Sequence, residues 1–201
     1  MTNPAPLHWG QTYHIYSRGN DRGNLFFEER NHPYFLWLYG QHMHPIAETH
    51  AYCLLPNHLH LLVRIRDQEE VAAHHGQKTA DRKPSQALSN LLNAYARSIN
   101  HTYGRTGSLF QRPFGRKPVT SDSYLSWLVI YIHRNPQKHR LVADFREWPY
   151  SSYHSLLAAQ PTRLQREEVL AWFDGAAGFV AAHEQGGDEE RIASLIDEDF
   201  D

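Results

Sequence analysis

Between positions 54 and 65 the chain reads Leu54-Leu55-Pro56-Asn57-His58-Leu59-His60-Leu61-Leu62-Val63-Arg64-Ile65, with apolar residues recurring at Leu59, Leu61, Val63 and Ile65. A strand sends successive side chains to opposite faces, so the spacing predicts a strand over 57–65 with one apolar core face. His58 and His60 then share the other face, roughly 6–7 Å apart at their Cα atoms. Upstream, 12–17 alternates and predicts a strand, followed by a turn-rich basic loop at 18–24. Phe35, Leu36, Leu38, Tyr39 and Met43 predict a helix over 31–44, with Pro33 in its first turn. A further strand is expected over 50–55, joined closely to the next by Pro56-Asn57. The stretch 66–84 is polar, charged and without period, and reads as a loop. Leu88, Leu91, Leu92, Tyr95 and Ile99 mark a helix over 85–104.

The stretch 107–119 mixes aromatics, cations and prolines and predicts a turn followed by a short edge strand. A helix capped by Ser121 follows, ended by Pro136. The order strand, helix, strand, strand, helix, strand, helix predicts an α+β fold: an antiparallel ferredoxin-like sheet with helices packed on it. Beyond Pro161, short amphipathic helices are expected over 166–173, 176–183 and 188–196. The chain is therefore divided into a domain over 1–161 and an acidic, helical appendage over 162–201.

Charge sharpens that division. The overall net charge of −2 conceals 17 Lys and Arg against 11 Asp and Glu in 1–161, a net of +6, and 3 against 11 in 162–201, a net of −8. A basic body points to a polyanionic partner such as nucleic acid. The acidic stretch could compete with DNA for that body or pair with a second subunit. One cysteine, Cys53, allows no internal disulfide, and the N-terminus has no apolar signal-like segment. No apolar run approaches membrane-spanning length, so a soluble, cytoplasmic protein without a membrane partner is expected.

Two features carry candidate chemistry. His58 and His60 could ligate one metal ion, or could be two solvent-side histidines on an amphipathic strand. On the helix over 121–135, residues advance by about 100°, so Tyr124, Leu128, Tyr131 and Asn135 form one stripe beside the core band of Leu125, Val129 and Ile132. Tyr131 and Asn135, spaced i, i+4, project together. Their plain alternative is a half-buried aromatic and a helix cap. A phenol, two imidazoles and an amide oxygen together suit metal-assisted phosphodiester cleavage with tyrosine as nucleophile. His133 faces the opposite side of that helix, His42 and His44 diverge by about 200°, and His74-His75 reads as a solvated pair.

Tyr13-His14-Ile15-Tyr16-Ser17-Arg18-Gly19-Asn20, Leu55-Pro56-Asn57-His58-Leu59-His60-Leu61-Leu62 and Tyr131-Ile132-His133-Arg134-Asn135-Pro136 resemble blocks of the REP-associated tyrosine transposases, among the single-tyrosine transposases of the HUH endonuclease superfamily. Segments 107–114 and 148–153 resemble further blocks in order and spacing, so the resemblance covers about 9–157. It implies a ferredoxin-like domain that binds single-stranded DNA at the foot of a palindromic hairpin. It also implies cutting with Mg²⁺ or Mn²⁺ through a 5′-phosphotyrosine. By that resemblance His58 and His60 are metal ligands, Tyr131 is the nucleophile and Asn135 takes the place of the third ligand. The long 66–84 stretch, Pro113 and Gly115, the Gln137-Lys138-His139-Arg140 sequence after Asn-Pro, and the acidic tail depart from the pattern.

Contacts to hairpin and single-stranded DNA are expected from Arg18, Asn20, Arg22, Arg112, Arg116, Lys117, Arg134, Lys138 and Arg140, with Phe110 and Phe114 stacking on bases. The protein is expected as a monomer or homodimer at the nucleoid, its site completed in cis or by exchange of the Tyr131 helix. Competing expectations are a domesticated hairpin-binding protein without cleavage, a zinc-dependent hydrolase using His58 and His60, and an RNA-binding sheet of similar topology.

Overall fold

Strands β1 (Thr12–Arg18), β2 (Ala47–Leu55), β3 (His58–Ile65) and β4 (Gly115–Pro118) form one antiparallel sheet in the order β2-β3-β1-β4. The computed structural model describes residues 6–186. Helices α1 (Asn31–His42), α2 (Gln68–His75), α3 (Gln77–Ala80), α4 (Pro84–Thr102), α5 (Asp122–Lys138), α6 (Tyr153–Leu157), α7 (Arg166–Ala171) and α8 (Ala176–Gln185) complete it. This is the expected α+β fold with helices packed on an antiparallel sheet.

The strands' alternation sorts the core into two layers. Tyr13, Ile15, Leu59, Leu61, Val63 and Ile65 pack against α1 and α4 through Phe35, Leu38, Leu88, Leu91 and Tyr95. Ala51, Cys53, Leu55 and Leu62 face the other way and pack against Leu128, Val129 and Ile132 of α5. A shift in register between Thr49 and Ala51 sets which β2 residues meet α5. Both faces are thus covered, and apolar burial on both sides of the sheet supplies the dominant drive for this arrangement.

Three expected boundaries move. β2 begins at Ala47 rather than 50, because Ala47 and Ile46 are buried with the α1 layer. The stretch 66–84 is not a loop: α2 and α3 occupy it, and α2 starts in a capping box in which Asp67 and Glu70 satisfy each other's backbone donors. Pro136 does not end α5, which runs to Lys138. The proline lies in the last turn, so its missing N–H affects one carbonyl, and His139 N still donates to Asn135 O at 2.9 Å.

The polypeptide after α5 closes the open edge of β2. Leu54 N donates to Tyr150 O and Ser152 N to Tyr52 O, each at 2.9 Å. Trp148 Nε1 donates to Leu54 O. Val169, Phe173 and Phe179 are buried in the same cluster as Leu128, Val129 and Ile132, so the acidic stretch after Pro161 begins inside the packing around α5. The helices expected over 166–173 and 176–183 appear as α7 and α8; the one expected over 188–196 lies outside the described residues. No helix among the described residues is long and apolar enough to cross a membrane.

Candidate active site

Register builds one chemical face on the sheet. Arg18 pairs with His58, Tyr16 with His60 and His14 with Leu62, while β4 sets Lys117 opposite His14 and Gly115 opposite Tyr16. Residues directly opposite in an antiparallel pair share a face. His14, Tyr16, Arg18, His58, His60 and Lys117 therefore lie on the α5 side. Gly115 is required there: a Cβ on it would drive into the Tyr16 ring.

The two histidines are not solvent-side. α5 covers them, leaving His58 6% and His60 1% exposed. Their ring centroids are 5.3 Å apart with planes at 89°. Tyr131 projects from α5 onto them, its ring 5.6 Å from His60 and 6.3 Å from His14, nearly perpendicular to both. Tyr131, His58, His60 and Asn135 thus meet within one chain.

Hydrogen bonds orient the imidazoles. Asn57 Oδ1 lies 2.7 Å from His58 Nδ1, and Asn57 Nδ2 donates to Arg22 O at 3.4 Å. A carbonyl accepts only, so the amide must present its oxygen to the ring. His58 Nδ1–H donates, and the lone pair of the neutral ring sits on Nε2. His60 Nδ1 and His14 Nε2 share a proton across 2.9 Å, the two rings nearly parallel with centroids 5.1 Å apart. The loop behind Asn57 is wound tightly: Gly19 N donates to Asn57 O, and a Cβ on Gly19 would collide with Gly23 O.

Both rings are held neutral. Burial, followed by His139 and Arg18, pushes His58 down to about 3. Burial, then His14, His58, His139 and Lys138, holds His60 well below the ordinary histidine range. Neutral imidazole is the metal-binding form. Asn135 is fully buried, and its Nδ2 donates to Tyr131 O at 2.9 Å. Its Oδ1 has no hydrogen bond of good geometry, yet stands close enough to His58 to raise that ring's basicity. Two neutral imidazoles and a buried amide oxygen short of a donor fit a divalent cation through a mixed N/O set. Among the described residues no group of three or more His, Cys, Asp or Glu side chains could hold a metal, so a cation at this place depends on Asn135 as third protein ligand.

The expected DNA contacts divide. Arg18 and Lys117 lie on the site face, and Lys138 places its ammonium 5.3 Å from the Tyr131 ring centroid. Asn20 and Arg22 are exposed in the loop after β1, and Arg140 is exposed just after α5. Arg112 is exposed and donates to Asn93 Oδ1 at 2.9 Å. The remaining expected contacts point elsewhere than to Tyr131. Phe110 is 5% exposed and packs in the α1/α4 layer beside Tyr95, so only the edge of its ring reaches the surface, at the groove described below. Arg134 turns away from the site: it donates to His183 O at 2.7 Å and lies over Phe145. Arg116, opposite Ile15, lies on the other sheet face from Tyr131, with its guanidinium 4.6 Å from the Phe114 ring centroid; Phe114 is half-buried against that core and lines the groove described below.

His14, Asn57, Tyr16 and His139 were not singled out, though His139 stands 4.7 Å from His58 ring to ring. The alternation of β1 carried the signal for His14 and Tyr16, and adjacency to His58 that for Asn57. His133 is absent from the site, as its helical phase predicts. His74 and His75 end α2, exposed.

Beyond the sheet edge, a groove of about 980 Å³ runs between α4 and residues 107–114. Asn90, Asn93, Arg97 and Asn100 form one stripe of α4 along it, Gln111 and Arg112 stand opposite, and among the described residues no carboxylate lines it. Gln111 N donates to Arg18 O, so this wall continues from the strand end that carries Arg18.

No family model matches the chain. A Haemophilus influenzae protein whose name assigns it to the REP-associated tyrosine transposases is 30% identical over 115 residues, 56% of this chain; the chain spans 62% of that relative's length. A solved structure of a REP-associated tyrosine transposase bound to a REP hairpin superposes with a TM-score of 0.59 at 19% identity, over 80% of this chain and 88% of that one. The latter shows a shared fold. The chain thus resembles this family in sequence and in architecture.

Proposed function

We propose, from this likeness and the site, that the chain is a single-stranded DNA endonuclease and strand transferase acting beside palindromic hairpins. The observation that carries the reading is Tyr131 standing edge-on to His60 at 5.6 Å, delivered by a helix that also brings Asn135 to His58. A phenol buried against neutral imidazoles and an amide oxygen is poorly explained as packing alone.

In the proposed reaction Tyr131 Oη attacks the scissile phosphorus. A bond from Oη to phosphorus forms as the bond to the 3′ oxygen breaks, the phenol proton passes to solvent, and the departing oxygen takes up a proton as a 3′-OH. The 5′ phosphate stays on the tyrosine, so attack by a 3′-OH reverses the step and joins strands without another energy source. His58, His60 and Asn135 would hold Mg²⁺ or Mn²⁺, which when bound supplies charge stabilisation at the phosphate oxygens. Asn57 and His14 orient the two imidazoles through their Nδ1 atoms. Arg18, Lys117 and Lys138 supply positive charge to the DNA backbone around the reacting phosphate. Burial of the rings under α5 limits water at the site, which favours attack by the phenol. The amide- and arginine-lined groove beside Arg18 takes unpaired nucleotides flanking the hairpin.

The test is a denaturing gel on hairpin oligonucleotides with single-stranded flanks, taken from the DNA beside the gene. A protein–oligonucleotide adduct that requires Mg²⁺ or Mn²⁺, vanishes with EDTA and is lost in Tyr131→Phe is expected. Tight hairpin binding with no adduct would select the non-cleaving alternative. Cleavage that survives Tyr131→Phe would select a metal hydrolase.

A further inference from the structure

On the far side of α5 from Tyr131, a chain of buried polar groups joins three parts of the fold. His183 Nδ1 lies 2.7 Å from Phe179 O, His183 Nε2 lies 2.8 Å from His133 Nδ1, and His133 Nε2 lies 2.7 Å from Ser152 Oγ. Ser152 Oγ accepts from Tyr52 N at 2.9 Å; its own proton has Tyr52 O at 3.3 Å and, nearer, His133 Nε2, whose lone pair has no other donor. With both rings neutral, only one proton arrangement satisfies this chain. Phe179 O can only accept, so His183 carries its proton on Nδ1 and accepts on Nε2. His133 then donates from Nδ1 and accepts on Nε2 from the Ser152 hydroxyl. Both rings are fully buried, a setting that disfavours a charge on either.

We infer that this chain is a positioning device: His183 of α8, through His133 and Ser152, sets the rotation of α5 and hence where Tyr131 sits over His60. His133 and Tyr131 are two residues apart, about 200° around the helix, so a turn of α5 that moves one moves the other. Apolar packing around Val129 and Ile132 is non-directional and tolerates small rotations. A chain with one allowed proton arrangement does not. Its far end is Tyr52 of β2, which pairs with Leu61 of β3, the residue next to His60. α5 is therefore referenced to the sheet that carries His58 and His60. Arg134 adds a second tie to α8 by donating to His183 O.

The functional consequence rests on the cleavage reading; the positioning itself does not, and the experiment separates them. In the full-length chain, His183→Leu keeps much of the volume but leaves the His133 Nδ1–H without its acceptor, whereas His183→Gln offers Oε1 in place of Nε2. The first readout is the single-turnover rate of adduct formation on a flanked hairpin oligonucleotide, with the hairpin Kd measured alongside. The second is the ¹⁹F resonance of 3-fluorotyrosine placed at position 131, which reports its place beside the His60 and His14 rings without any cleavage. His183→Leu is expected to slow adduct formation about tenfold or more while Kd stays within about twofold, and to move the resonance; His183→Gln recovers most of both. An unmoved resonance and an unchanged rate in His183→Leu would overturn the inference. So would equal loss of rate, binding and thermal stability in both variants, which describes generic packing. A wild-type chain that forms no adduct, but whose resonance shifts in His183→Leu and returns in His183→Gln, supports the positioning and removes the nuclease reading.

Discussion

Asn57 holds His58 by its oxygen and the Arg22 carbonyl by its nitrogen, so a loop residue next to the strand fixes which ring nitrogen of His58 carries the proton. Outer partners of this kind govern metal affinity without touching the metal. Asn57→Ala is expected to raise the Mn²⁺ concentration needed for half-maximal adduct formation by about 10–100-fold, with hairpin binding little changed. A metal titration of the adduct yield checks it; an unchanged midpoint would remove Asn57 from the site.

Asn135 places a fully buried amide oxygen without a well-formed hydrogen bond beside His58. Such an acceptor costs stability, of order 1–3 kcal/mol, unless a ligand uses it. Asn135→Leu removes the cost along with the Nδ2 bond to Tyr131 O, so the metal-free protein should melt within about 1 kcal/mol of wild type, or above it, while adduct formation is lost. Asn135→Asp keeps an oxygen donor and should retain metal-dependent cleavage. Thermal melts with EDTA, paired with adduct gels, read both halves.

Acid should weaken the fold through buried neutral histidines remote from the candidate cation site. Burial pulls His32 and His183 down to about 4 from the ordinary 6.5. Between those values the unfolded chain binds protons that the folded chain refuses, so stability rises with pH across the window and levels off above about 6.5. Urea midpoints should therefore fall steadily from pH 6.5 toward 4 and stay flat from 7 to 8. His32→Gln should flatten part of that slope; a slope unaffected by it would assign the acid response elsewhere.

The parts of this site legible in the sequence were those set by local period. Alternation in 58–65 placed two histidines on one face, and the i, i+4 spacing placed Tyr131 with Asn135. What escaped was set by partners distant in sequence. His14 enters only through the register of β1 on β3, and the fates of Phe110 and Arg134 depend on Tyr95 and His183, far along the chain. The helices at 68–80 lacked an apolar stripe to announce them, although the Asp67–Glu70 capping box was readable. Pro136 misled because a proline that would break a helix interior is cheap in its last turn. The acidic stretch looked detachable by charge, but Val169, Phe173 and Phe179 are core residues. Deleting all of 162–201 would expose α5, so any inhibition by acidic groups is better tested by stopping the chain after residue 186.

The groove beside α4 makes a separable prediction. Arg97 and Asn93 are exposed on its floor, share the stripe of α4 facing Gln111 and Arg112, and lie away from α5 and Tyr131. If unpaired flank lies there, Arg97→Ala should weaken binding of a flanked hairpin and reduce the slope of log Kd against log salt by about 1. A hairpin trimmed of its flanks should bind wild type and Arg97→Ala alike. Asn93→Ala should instead change which flank bases are preferred, since an amide can read a base edge whereas a guanidinium on phosphate reads none. Fluorescence anisotropy with flanked and trimmed hairpins at several salt concentrations decides it. Equal losses on both oligonucleotides would place the flank outside this groove and leave Arg97 as a contact to the duplex.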